Sequence, residues 1–230
     1  MAALIYGNKL AKAFGVKQLF NDLTLGVSEN DRIGVIGPNG SGKSTLLKIF
    51  AGLEKPDDGT ITRRQHLRIA YVPQQPNFRP EATVLDEMER AAIDSGVDVH
   101  EASIRAQEIL GRTGFEDGSQ LTGPLSGGWR KRLAIACGMI QEPEMMLLDE
   151  PTNHLDASSV SWLEKASTRS LVPSSRLLTT GIFWTTLRAG FWNWTAAGAS
   201  RTKAIILRGW NRKGSDLNRK SAAKLATKRN

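Results

Sequence analysis

At 230 residues with 40% hydrophobic content, the chain can build one cored domain with an extension. No apolar run is long enough to span a bilayer and no signal-peptide pattern opens the sequence, while the use of one cysteine suits a cytoplasmic protein. A single cysteine, Cys137, excludes an internal disulfide, and the net charge of +8 is lopsided: residues 166–230 hold 13 of the 31 Lys+Arg but only one acid, Asp216, leaving residues 1–165 net acidic.

Residues 2–27 carry apolar residues in strand-like alternation, with breaks expected at Gly7 and Gly15, so two or three strands are predicted there. Phe14, 23 positions before Gly37, suits either a ring stacked on adenine or a core position. Arg32–Ile36 is short and apolar enough for a buried strand. It runs into Gly37-Pro38-Asn39-Gly40-Ser41-Gly42-Lys43-Ser44-Thr45, which fits the phosphate-loop pattern G-x-x-x-x-G-K-[ST], and Leu46–Ala51 then reads as a helix. Strand, glycine loop and helix together are the context this motif requires. The glycines let backbone N–H groups turn toward phosphate oxygens, and the helix N-terminus adds positive potential. Lys43 is placed for the outer phosphates and the Ser44 hydroxyl for Mg²⁺.

Pro56–Gly59 is a turn by composition, and Arg68–Val72 is a short strand stopped by Pro73, with Gln74 and Gln75 in the loop beyond. Thr83–Ser95 reads as a helix with Val84, Leu85, Met88 and Ala91 on one face. His100–Leu110 reads as another, with Ile104, Ile109 and Leu110 inward. His66 and His100 have no neighbour at metal-ligand spacing and are expected on the surface. Ser126, Gly127 and Gly128 precede the basic helix Trp129–Ala136, where free N–H groups make a second anion site; its Lys/Arg run is expected to be a solvated face. Cys137 is expected to be a packed core thiol. Met145–Leu148 is an apolar strand ending in Asp149 and Glu150. In a chain with a phosphate loop, such a pair can hold the Mg²⁺ shell (Asp149) and polarise the attacking water (Glu150).

Four motifs in this order resemble an ATP-binding cassette (ABC) ATPase domain: the loop Gly37–Thr45, Gln74, the signature Leu125-Ser126-Gly127-Gly128, and the run Leu147–Asp156. The resemblance covers residues 1–167. It implies an α/β P-loop NTPase fold with an antiparallel β subdomain near the N-terminus and a helical subdomain around residues 83–140. It also implies ATP and Mg²⁺ as cofactors, Gln74 sensing metal and water, Glu150 as catalytic base, Asp156 as the D-loop aspartate and Phe14 on the adenine. The family works as a head-to-tail pair, so a second cassette, in tandem or as a homodimer, is the implied partner. Ser126 and Gly128 would then serve the partner's nucleotide. Trp129 in the signature, with Glu150-Pro151-Thr152-Asn153-His154-Leu155-Asp156, is most similar to the first cassette of the ABC-F subfamily, several of whose members act on ribosomes. The 51 positions from Gln74 to Leu125 leave little room for the helical arm that many of them carry. The ATP-binding subunit of a membrane transporter and a non-catalytic nucleotide-binding remnant are the alternative readings.

Residues 168–230 depart from this pattern. No histidine follows His154, four tryptophans appear (Trp184, Trp192, Trp194, Trp210), and neither helical nor strand period is evident. A one-base change of reading frame would account for this, with a genuine divergent basic tail as the alternative. Joining the last base of each codon to the first two of the next must turn Phe183-Trp184-Thr185 into Leu-Asp, and Phe191–Thr195 into Leu-Glu-Leu-Asp. Permitted codons turn Leu178–Thr186 into His-Asp-Arg-Tyr-Phe-Leu-Asp-Asn, similar to the family's switch-histidine segment. The expectation is a cassette that ends at residue 167 and lacks a core strand and switch loop, with an out-of-frame basic tail that is no nucleic-acid site.

Overall fold

The computed structural model describes residues 3–29, 31–151, 162, 176–180 and 202–206. Two sheets organise them. In the first, β1 (Ala3–Phe14) pairs antiparallel with β2 (Lys17–Ser28) on one side and β4 (Asp58–Arg63) on the other. Gly15, at φ 55°, makes the tight turn between β1 and β2. The expected break at Gly7 is instead a register shift inside β1, between Gly7 and Leu10. A Cβ on Gly7 would lie 2.5 Å from Leu10 Cδ1, so the missing side chain lets Leu10 fold back into the core without ending the strand.

The second sheet is parallel, in the order β5 (Ile69–Val72), β6 (Met145–Leu148), β7 (Arg176–Thr180), β3 (Arg32–Ile36) and β8 (Thr202–Ile206). β6 is buried along its whole length, as a strand covered on both faces should be. Against the sheets packs α1 (Lys43–Ala51), whose Leu46, Leu47, Ile49 and Phe50 are fully buried. Burying each such side chain is worth about 1.5–3 kcal/mol.

No strand period is evident past residue 167, yet β7 and β8 lie in that stretch. Arg176–Thr180 fills the place between β6 and β3. A parallel strand enclosed by neighbours needs no polar–apolar alternation, so the period-two test had nothing to detect in Arg-Leu-Leu-Thr-Thr.

A helical layer of α2 (Val84–Asp94), α3 (Val99–Thr113) and α4 (Gly127–Met139) has its own core, joining Met88, Ala92, Ala106, Ile109, Leu133 and Met139 to Val72 and Leu148 of the sheet. The boundary of α2 is set chemically: Thr83 Oγ1 accepts from Asp86 N at 3.1 Å, and Asp86 Oδ2 accepts from Thr83 N at 2.8 Å. Ile109 of α3 is buried as expected, but Ile104 is 62% exposed. The buried stripe runs through Ala102, Ala106, Ile109 and Thr113, where alanines allow close helix approach, and Ile104 falls outside it. Cys137, expected in the core, is only half-buried and packs against this cluster, where burial pushes its thiol up to about 12.

Candidate functional site

The site forms where α1 and the C-terminal ends of β3, β5 and β6 meet. β3 delivers the chain into Gly37–Gly42, and α1 begins at Lys43. Gly42 is the N-cap of α1 at φ 91°, and a Cβ there would lie 2.9 Å from Leu19 Cβ; conformation and space both demand glycine. Gly40, at φ 73°, is the second such position in the loop. Lys43 Nζ donates to Gly37 O (3.0 Å) and Pro38 O (3.1 Å), so the ammonium is wrapped by its own loop, and it lies 3.8 Å from Glu150 Oε1. Pro38 O also accepts from Ser41 N at 3.2 Å. Asn39 is exposed on the loop, while Thr45 is half-buried in the first turn of α1.

β5 and β6 bring the remaining groups. Ser44 Oγ donates to Asp149 Oδ1 at 2.9 Å. Tyr71 OH donates to Asp149 Oδ2 at 3.2 Å, and burial, then the Asp149 charge, raise the Tyr71 phenol above its ordinary range. Gln74 Nε2 donates to Glu150 Oε2 at 2.6 Å. Glu150 has φ 44°, in the left-handed region that costs a non-glycine residue about 1–3 kcal/mol and recurs at active sites. Gln74, Ser44, Asp149, Glu150 and Lys43, far apart in sequence, are thus connected side by side.

The basic run after the signature behaves differently from expectation. Lys131 is not solvated: it is 3% exposed, and its Nζ donates to Pro73 O (2.8 Å), Gln74 O (2.9 Å) and Asp149 O (3.2 Å). Burial pulls its ammonium down to about 8, against the charges of Asp149 and Glu150, which favour the proton. Arg132 stacks on Trp129, 4.3 Å from the ring, and on Trp162 at 4.8 Å. Sequence reading missed Lys131 and Tyr71. A signal for Lys131 existed, since it precedes the buried Ala134 and Ile135 by three and four positions and so shares their helix face.

Ser126 caps α4 with its Oγ accepting from Trp129 N at 3.5 Å, which places Ser126, Gly127 and Gly128 on that helix end as expected. Phe14 is 55% exposed at the tip of the β1–β2 hairpin and is not a core residue. Asp156 lies outside the described residues.

The donor set suits a nucleotide triphosphate and a hard cation. Ser41 Oγ is buried with no hydrogen-bond partner among the described residues, and a phosphate oxygen would supply one. The Ser44 hydroxyl and Asp149 carboxylate form an adjoining pair of oxygen ligands of the kind Mg²⁺ takes.

This fold and this site define a P-loop ATP-binding cassette. A family model described as ABC transporter matches residues 20–153, and the chain belongs to that family of ATP-binding cassettes. Among curated proteins, it is 34% identical over 197 residues to the uncharacterized ABC transporter ATP-binding protein YfmR of Bacillus subtilis, covering 70% of this chain and 31% of the relative. It is 31% identical over 203 residues to the energy-dependent translational throttle protein EttA of Escherichia coli K12, covering 72% of this chain and 37% of the relative. The chain therefore spans about a third of the length of these relatives. Among solved structures, the ATP-binding subunit of an ABC transporter superposes with a TM-score of 0.75 at 22% identity, covering 95% of this chain and 93% of that one. A dimeric ATP-binding cassette in a post-hydrolysis state, bound to ADP and Pi, matches with a TM-score of 0.65 at 26% identity, covering 77% and 88%.

Proposed function

We propose that this chain binds Mg²⁺–ATP at Gly37–Thr45, Asp149, Glu150 and Gln74, and that it is the first cassette of an ABC-F-like ATPase acting in translation in the cytoplasm. The observation that carries the binding site is the joining of Ser44 to Asp149 and of Gln74 to Glu150 around the wrapped Lys43. Mg²⁺, held by Ser44 and Asp149 and assisted by Gln74, would offset charge on the outer phosphates. Hydrolysis proceeds by attack of water on the γ-phosphorus: Glu150 accepts the proton, the bond to the β-phosphate oxygen breaks, and Lys43 neutralises charge on the leaving ADP. Positioning and charge neutralisation supply most of the acceleration. A second cassette, in tandem or as a second copy, completes the site with its own Ser126–Gly128 segment; the dimeric cassettes among the structural relatives support that partner. Phe14 stacks on the adenine, and Asp156 serves the same interface.

Trp129 in the signature and the likeness to EttA, a translational throttle protein, support the ABC-F-like reading and the ribosome as a partner. The transporter reading is supported by the likeness to YfmR, an ABC transporter ATP-binding protein. No helix among the described residues is long and apolar enough to cross a membrane, so on that reading the permease is a separate protein or segment. The absence of any histidine after His154 favours the third reading, a non-catalytic remnant that binds nucleotide with little or no hydrolysis.

The proposed change of frame, beginning between Lys165 and Leu178, bears on all three, and the forced Leu-Asp and Leu-Glu-Leu-Asp readings support it. Resequencing the coding DNA from codon 150 onward tests it. A one-base correction that restores the histidine segment and opens into a second cassette supports the tandem ATPase. An unchanged frame leaves the basic extension genuine and favours the non-catalytic remnant. Fluorescent-ATP titration and phosphate release on the purified chain test the site: no ATP binding overturns it, and turnover at family-like rates overturns the non-catalytic reading.

A further inference from the structure

The β1–β2 hairpin lies along the phosphate loop in matched steps. Lys17 and Leu19 lie two apart on β2, with a register shift of the hairpin between Gln18 and Phe20. A Cβ on Gly40 would lie 2.9 Å from Lys17 Nζ, and a Cβ on Gly42 would lie 2.9 Å from Leu19 Cβ. Two positions of strand thus run against two positions of loop. Leu19 is buried and fixes that register, while Lys17 is exposed and carries its ammonium over the backbone of Gly40.

Lys12 of β1, the register partner of Phe20, is neutralised by Glu54 at 3.2 Å and Asp57 at 2.8 Å. Among the described residues, no carboxylate is within ion-pair distance of Lys17 Nζ. Across the turn, Lys17 is the register partner of Phe14, and the residues between them are Gly15 and the fully exposed Val16. One hairpin tip therefore presents an exposed aromatic ring, an exposed aliphatic group and an unneutralised cation beside a loop built for phosphate. Apolar surface next to a cation complements a base joined to a phosphate chain.

We propose that Lys17 is a phosphate-binding residue of this site, closing on the polyphosphate of an adenine nucleotide from the hairpin side while Phe14 holds the base. This rests on the nucleotide-binding reading above. Its ammonium lies at Gly40, on the exposed side of the loop that takes the outer phosphates, so Lys17 acts on nucleoside di- and triphosphates and not on monophosphates. Lys17 and Lys43 then contribute one cation from the hairpin and one from the loop.

The test is competition of ATP, ADP and AMP against a fluorescent ATP analogue on the full chain, for wild type, Lys17→Ala and Lys17→Arg. Losing one charge-assisted contact should weaken ATP and ADP about tenfold in Lys17→Ala, with AMP within about twofold and Lys17→Arg near wild type. The ATP-to-AMP affinity ratio is the readout, since general damage to the hairpin would lower both alike. Should Lys17→Ala melt earlier than wild type, Lys17→Gln is read by the same ratio. Unchanged ATP affinity, or equal losses for ATP and AMP, overturns the proposal while leaving the nucleotide site intact. A wild-type chain that binds no adenine nucleotide overturns the site itself, and this assignment with it.

Discussion

Ser44 Oγ donates a 2.9 Å hydrogen bond to Asp149 Oδ1, tying the first turn of α1 to the end of β6 across 105 positions of sequence. The carboxylate is the charged member of the pair and the better ligand for a hard cation. Asp149→Asn should remove most of the gain in ATP affinity that Mg²⁺ gives the wild type, about tenfold or more for a lost charged ligand. ATP titrations with Mg²⁺ and with chelator measure that gain. An equal Mg²⁺ gain in both proteins would remove Asp149 from the metal site.

Glu87 is 1% exposed and is held by Arg79 Nε at 2.8 Å and by Arg90. Burial raises its carboxyl, but the two guanidiniums outweigh burial and leave it below its usual 4.5. The folded value lies below the unfolded one, so the stabilisation is complete above pH 4.5 and is lost as pH falls through the folded value. Glu87→Gln should therefore destabilise by about 2–3 kcal/mol near neutral pH and by much less in acid. Urea unfolding at both pH values checks it; a gap that widens in acid would show the sign to be wrong.

Gly42 combines φ 91° with Leu19 Cβ 2.9 Å from where its own Cβ would be. Gly42→Ala should cost about 1–3 kcal/mol in stability through backbone strain and the clash with Leu19. It should also abolish ATP binding, because the loop's N–H groups no longer converge. Thermal melts and nucleotide titration on the same preparation read both effects, and full ATP affinity in this variant would contradict the loop geometry.

Lys131 satisfies three carbonyls from two segments, Pro73–Gln74 and Asp149. Lys131→Ala leaves those carbonyls without a donor and opens a cavity under α4, so a loss of about 2–4 kcal/mol is expected. Chemical denaturation measures it. A loss under about 0.5 kcal/mol, the range of an ordinary surface substitution, would mean that Lys131 is solvated after all.

Most of the site was legible because its signals are local. The strand before Gly37, the glycines at Gly40 and Gly42 and the helix after Lys43 are neighbours in sequence, and the order of motifs followed from them. The Ser126 cap and the short strand ending at Asp149 were legible for the same reason. What was not legible depends on distant partners. Three consecutive basic residues after Trp129 read as a solvated run, and only the carbonyls of Pro73, Gln74 and Asp149 make burial of Lys131 possible. Ile104 reads as core until two alanines of α3 set the close-packed face elsewhere. Lys17 is one of many surface lysines until β2 is laid along the loop.

The position of β7 gives the nascent chain an order of assembly. β3 and β6 carry the two halves of the site, yet neither pairs with the other; each hydrogen-bonds to β7, which lies more than 25 residues after β6 in sequence. Until Arg176–Thr180 leaves the ribosome, β3 and β6 each present an open edge of unpaired N–H and C=O groups, the kind that recruits other chains. A ribosome pausing before this point would hold a half-sheet exposed, and a chain released there would be a candidate for aggregation before it was ever a nucleotide-binding protein.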